Sequence, residues 1–255
     1  MNWFVIKNKM KRFYAMKKTN ILLGLIALIT VIAGTSCHDG LNCIEGNHQV
    51  VNEYRDVPPF TSIVSQGSFD VFLIQDTTTE VIVEAESNLM DYIRTNVYGS
   101  NLEIDFRRNT CVNTNHPIRV TVRTPFIESA VIEGSGYLGC DYFETPSLRL
   151  NIVGSGSIEM ETYCENIETR ISGSGDIELW GSSIVADHVI SGSGSVRAYN
   201  LPVETCYATI SGSGNMYVNV SDLLDVVISG SGSVYYMGNP TVITDISGSG
   251  SVIHQ

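Results

Sequence analysis

No lysine follows Lys18 in this 255-residue chain, and from residue 37 onward nine arginines face 27 Asp and Glu, a net charge of −18. A surface so short of cations repels phosphate backbones and anionic lipid headgroups, which argues against nucleic acid or a bare membrane surface as partner. The six cysteines include no Cys-x-x-Cys pair, so no metal site is expected. None of the Gly-rich segments is followed by the Lys-Ser/Thr of a phosphate-cradling loop. None has the Gly-Gly-x-Gly-x-Asp pattern of a calcium-binding nonapeptide repeat. No cofactor is therefore expected.

Long apolar runs are also scarce. The main one, Ile21 to Ala33, follows Lys17 and Lys18 and leads through Gly34, Thr35 and Ser36 into Cys37. It is too short to span a membrane permanently and reads as a secretory signal over residues 1–36, with Met16 as the expected true start. A cysteine after small residues resembles the end of a bacterial lipoprotein signal, with Cys37 lipidated and residues 37–49 as the linker from that anchor. Gly34 and Thr35 depart from the commonest run before such a cysteine, which leaves ordinary signal cleavage open. The expected location is the bacterial cell envelope, as an outer-membrane lipoprotein touching the membrane through its lipid.

What the chain has in abundance is a repeat. Gly-Ser-Gly starts at Gly134, Gly154, Gly173, Gly192, Gly212, Gly230 and Gly248, in steps of 18 to 20 residues. Two positions before each copy stands isoleucine: Ile132, Ile152, Ile171, Ile190, Ile210, Ile228 and Ile246. Four positions after each first glycine stand Leu138, Ile158, Ile177, Val196, Met216, Val234 and Val252. Upstream, Leu148, Ile167, Ala186, Cys206, Leu224 and Val242 continue the alternation, with Arg149, Glu168, Arg170 and Asp187 between apolar positions. Period two is the mark of a half-buried strand, and a short fixed repeat marks a stacked solenoid. A flexible Gly/Ser linker has no reason to hold isoleucine in register.

Each unit reads as strand, Gly-Ser-Gly corner, strand and a variable arc. Glycine suits a corner with the next coil's backbone only ~4.8 Å away. Parallel strands joined by crossovers turn right-handedly, so the expected fold is all-β, a right-handed parallel β-helix over residues 131–255. A solenoid of another cross-section stays open. Residues 50–130 carry strand patterns of different texture at 60–64, 69–74, 81–86, 102–106 and 118–123, expected as a β-rich cap. Within them Gly67-Ser68-Phe69-Asp70-Val71 looks like a degenerate first coil. The last coil has no evident cap, which leaves oligomerisation through it open.

Cys206 and Cys140 fall at or near inward positions and read as core residues. Cys43 and Cys111, outside the repeats, are candidates for one disulfide in an oxidising compartment. His188 falls in an inward column and reads as a core histidine rather than a base.

The entry Val57-Pro58-Pro59-Phe60-Thr61-Ser62-Ile63, the segment 67–71, the stretch Glu84-Ala85-Glu86-Ser87-Asn88-Leu89 and the Ile-Ser-Gly-Ser-Gly repeats together resemble the auto-transporter adhesin head GIN domain family of exported bacterial proteins. The resemblance covers roughly residues 50–255. It implies a β-helical extracytoplasmic domain of adhesin type. No membrane β-barrel segment follows the repeats in this sequence, and the lipid anchor is expected to take that part.

Two function classes follow. As a binding or structural module, the column displays side chains to a glycan or protein of the cell envelope or beyond. Trp180, Tyr199, Tyr217 and Tyr235 are outward by alternation and are the candidate binding face, since flat rings stack on sugars and anchor partners. As an enzyme, it resembles β-helical polysaccharide lyases and hydrolases. Glu159, Asp176, Glu178 and Arg197 are then the acid and cation grouping, although a solvated ion-pair ladder accounts for them equally well. No Ser-His-Asp arrangement can be assembled, so the non-enzymatic reading is favoured.

Overall fold

The computed structural model describes residues 43–255. The signal segment, Met16 and Cys37 lie outside the described residues. The N-terminal part holds β1 (Ile44–Glu45), β2 (Val50–Arg55), β3 (Ser62–Gly67), β4 (Asp70–Gln75), β5 (Glu80–Glu86), β6 (Ile93–Tyr98), β7 (Asn101–Phe106), β8 (Val112–Asn113) and β9 (Arg119–Thr124). The repeats supply β10 (Ser129–Gly134), β11 (Tyr137–Glu144), β12 (Ser147–Gly154), β13 (Ser157–Gly173), β14 (Asp176–Gly192) and β15 (Ser195–Gly212). They continue with β16 (Asn215–Gly230), β17 (Ser233–Met237), β18 (Thr241–Gly248) and β19 (Ser251–His254).

The repeats build a parallel β-helix, as their spacing predicts. Gly154, Gly173, Gly192, Gly212, Gly230 and Gly248 are stacked partners on successive coils, and the isoleucines two positions earlier stack with them. Alternation does the rest: Ile132 to Ile228 of that column are at most 1% exposed, and Leu138 to Val234 of the column after the corner are fully buried. The two corner glycines serve different ends. Gly192 has φ +138°, which an L side chain rarely adopts. Gly194 has no such φ, but its α-carbon faces the Gly175 carbonyl and the Ile171 methyl group of the coil before.

The first coil is β3 and β4, with Gly67-Ser68-Phe69 at its corner. Gly67 pairs with Gly134, and Val71 with Leu138. Phe69, in place of the second glycine, is fully buried and stacks on Phe106 at 4.7 Å. On the other side of this coil lie later residues: β7 runs parallel to β3, and β9 parallel to β4. Then β6 folds back antiparallel on β7, β5 on β9, and β2 on β5. The chain thus enters the column one level in, builds outward to the end, and returns to lay β10 on the inner side. Antiparallel strands terminate the parallel stack, and the outermost strand on the β5 side, β2, carries Glu53 and Arg55, charges that discourage further pairing.

The N-terminal segment is pinned to this end. Cys43 and Cys111 form a disulfide, beside the short parallel pair β1 and β8. Glu86 is fully buried and accepts hydrogen bonds from the backbone N–H of His48 and Asn115 and from the Thr114 hydroxyl at 2.6, 2.9 and 3.1 Å. Burial pushes its carboxyl up, but these donors outweigh it and hold the pKa down at about 2. One carboxylate thereby ties three chain segments together.

Cys140 and Cys206 are buried, and burial pushes both thiols up to about 12, so they act as small apolar groups. His188 is 1% exposed and its Nδ1 lies 2.8 Å from the Thr169 hydroxyl on the coil before. Burial lowers its pKa from 6.5 to about 4. The native state therefore binds this proton less tightly than the unfolded chain. The stability contribution is complete above pH 6.5, falls as the pH drops towards 4, and levels off with a loss of about 3 kcal/mol. Urea titrations at pH 7 and pH 4 should show that fall in the wild type and a smaller one in His188→Leu.

Candidate binding face

The strands after each corner present parallel outward ladders. One runs Gly139, Glu159, Glu178, Arg197, Tyr217, Tyr235 and Ile253, each residue opposite the next. It is acidic at its start and aromatic further along. The Tyr217 and Tyr235 rings stack nearly parallel, 5.0 Å apart with 8° between their planes. Tyr199 meets Tyr217 edge-on at 5.5 Å. All three rings are half-buried against one another rather than splayed into solvent.

Tyr199 and Trp180 occupy equivalent positions in their sequences but not in space. The register slips between Glu178 and Trp180, so that Trp180 faces Asn200, and it slips again between Ala198 and Pro202. The extra residues bulge out and carry Tyr199 across Tyr217. The four aromatics of the candidate face therefore do not form one continuous stripe. Three tyrosines form one cluster, and Trp180 lines a separate hollow of about 280 Å³ with Tyr137, Asp141, Glu159 and Glu161. Beside the tyrosines is another hollow, of about 200 Å³, lined by Glu178, Arg197, Tyr199, Asn200 and Tyr217.

The acid and cation grouping is brought together, with three of its four members, Glu159, Asp176 and Arg197, already engaged. Arg197 lies 3.4 Å from Asp176, both about half exposed. Glu159 accepts a hydrogen bond from the Tyr137 hydroxyl at 3.1 Å, and Glu178 stands between Glu159 and Arg197 in the ladder. Burial and the Glu159 charge push the Tyr137 hydroxyl up to about 12, so it stays a donor. Such exposed pairs contribute little to stability.

A family model described as "Putative auto-transporter adhesin, head GIN domain" matches residues 59–240. The chain belongs to this family. Among solved structures, a "putative adhesin" from Bacteroides fragilis is 21% identical with a TM-score of 0.80, covering 83% of this chain and 100% of that one. A "putative lipid binding protein" from Parabacteroides distasonis is 24% identical, with a TM-score of 0.72 and coverage of 83% and 99%. A "putative adhesin" from Parabacteroides merdae is 22% identical, with a TM-score of 0.69 and coverage of 83% and 98%. At these identities the likeness is one of fold. No curated protein matches the chain in sequence.

This GIN domain also holds a feature that the alternation pattern hid. At the variable arc opposite the Gly-Ser-Gly corners lies a hollow of about 750 Å³ lined by Gln75, Glu144, Pro146, Tyr163, Cys164 and Glu165, among others. Its lining residue Tyr163 meets Tyr142 at 5.6 Å, and the Tyr142 and Tyr163 hydroxyls donate to Glu144 and Glu161 respectively. The arcs differ in length from copy to copy, so no column count could place these side chains together.

Proposed function

We propose that this GIN-domain protein is a cell-envelope binding module, held at the outer membrane by lipid on Cys37, and that the cluster of Tyr199, Tyr217 and Tyr235 takes a glycan. The observation that carries this reading is the stacked Tyr217 and Tyr235 pair with Tyr199 edge-on. Beside it, the hollow offers Arg197, Asn200 and Glu178 as hydrogen-bonding groups. Flat apolar faces beside planar polar side chains suit the two faces and the hydroxyl rim of a sugar ring. The family's adhesin description agrees with a binding role. Sugar chemistry at Glu159, Asp176 and Glu178 is less well supported, because Asp176 is tied to Arg197 and Glu159 to Tyr137.

Cys37→Ser protein, released without lipid, provides a soluble probe for a glycan array. The wild-type face should retain glycans that Tyr217→Ala binds more weakly by on the order of 2 kcal/mol, roughly 30-fold. Equal retention by Tyr217→Ala, or retention of matrix proteins and no glycan, would remove the glycan reading.

A further inference from the structure

In the last coil, β18 pairs only with β16, and β19 only with β17. Positions that are sealed one level below are open here: Ile228 is 1% exposed, whereas its stacked partner Ile246 is 40% exposed. Val242 and Val252 are half-buried, and Thr244 is exposed. Unlike β2, β18 carries almost no guarding charge. Residues 238–255 include one carboxylate, Asp245, and no lysine or arginine. A strand with apolar side chains and unpaired N–H and C=O groups is a template for another strand.

The molecule itself shows what covers such a surface. At every internal level an Ile-x-Gly-Ser-Gly coil is covered by another coil of the same kind. Among the described residues an open coil of this kind occurs at this end alone, because antiparallel strands close the other. We propose that two copies of this chain join through β18, the strands antiparallel about a two-fold axis at Thr244. Head-to-tail stacking needs an open first coil and leads to a filament, whereas the two-fold arrangement closes on itself. The register is self-complementary. Val242, Thr244 and Ile246 are symmetric about Thr244, so Val242 falls opposite Ile246 of the second copy and all three keep their inward face. A slip of one residue turns them outward. Asp245 falls opposite Ile243, so no two carboxylates meet across the seam.

On the axis, residue 244 faces its own counterpart at a separation that a disulfide can bridge. Sedimentation velocity of the purified protein should show a dimer that dissociates on dilution. Thr244→Cys should give a covalent dimer on a non-reducing gel, and Thr241→Cys, off the axis, should not. Thr244→Lys, at an exposed position that leaves the coil intact, should sediment as a monomer and melt like the wild type at dilutions where the wild type is itself monomeric. The proposal is overturned if the wild type is monomeric at every concentration, including the case in which the β18 amides resist hydrogen exchange because another segment of the chain covers them. It is equally overturned by a dimer that Thr244→Lys leaves intact and Thr244→Cys fails to cross-link.

Discussion

Gly194→Val is expected to abolish secretion of folded protein, or to lower the melting temperature drastically where any folds. A Cβ at this position meets the Gly175 carbonyl oxygen within van der Waals contact and the Ile171 Cγ2 at 2.8 Å. Neither can retreat: the carbonyl belongs to the backbone of the adjoining coil, and Ile171 is 1% exposed in the packed core. Overpacking costs typically about 1–3 kcal/mol and more where, as here, the backbone itself is in the way. Ile171→Ala should not rescue the variant, because the carbonyl remains. Ser193 between the glycines donates its backbone N–H to Gly173 O at 2.9 Å while its side chain stays in solvent, so Ser193→Ala should melt like the wild type. A valine variant with wild-type yield and melting would mean that the corners are not close-packed.

Ile190→Ala should cost about 2–5 kcal/mol, the range for truncating a fully buried aliphatic side chain. Ile190 lies between Ile171 and Ile210 in the column, and coils held by backbone ladders above and below cannot collapse into the space. Arg197→Ala is the matched control on the outer face. Its partner Asp176 is 3.4 Å away and both are about half exposed, so the loss should be between 0 and about 1 kcal/mol. Denaturant titrations decide the matter. Coincident midpoints for the two variants would overturn the assignment of inward and outward faces.

Those faces were legible because period two ties every side chain to one side of a strand. From that alone followed the isoleucine column and the inward Cys206 and His188, while the likeness of Gly67-Ser68-Phe69-Asp70-Val71 to the repeats marked it as a degenerate first coil. The pairing of Cys43 with Cys111 could be suspected because both lie outside the repeats. The order of the coils could not be read. β3 and β7 carry the same alternation whether they stack upward or downward, and only long-range pairing distinguishes the two. The bulge that separates Trp180 from Tyr199 left a trace, the 20-residue step from Gly192 to Gly212, but a step length does not say where the extra residue goes. Ile246 follows the inward pattern faithfully and is nonetheless exposed, because burial also requires a coil above it. Glu86 looked like any other glutamate within its segment, and its role as a tie depends on donors 29 and 38 residues away.

The out-of-sequence coil also sets a timetable for folding. A chain emerging N-terminus first exposes β3 and β4 long before anything can sandwich them, since one neighbour ends at Thr124 and the other at Glu144. Closing those loops costs entropy before any apolar contact offsets it, which slows nucleation. The early segment therefore stays uncompacted until about half of the described chain has appeared. After that, each new repeat needs only the one laid down before it, and the remaining coils can be added in the order in which they are made.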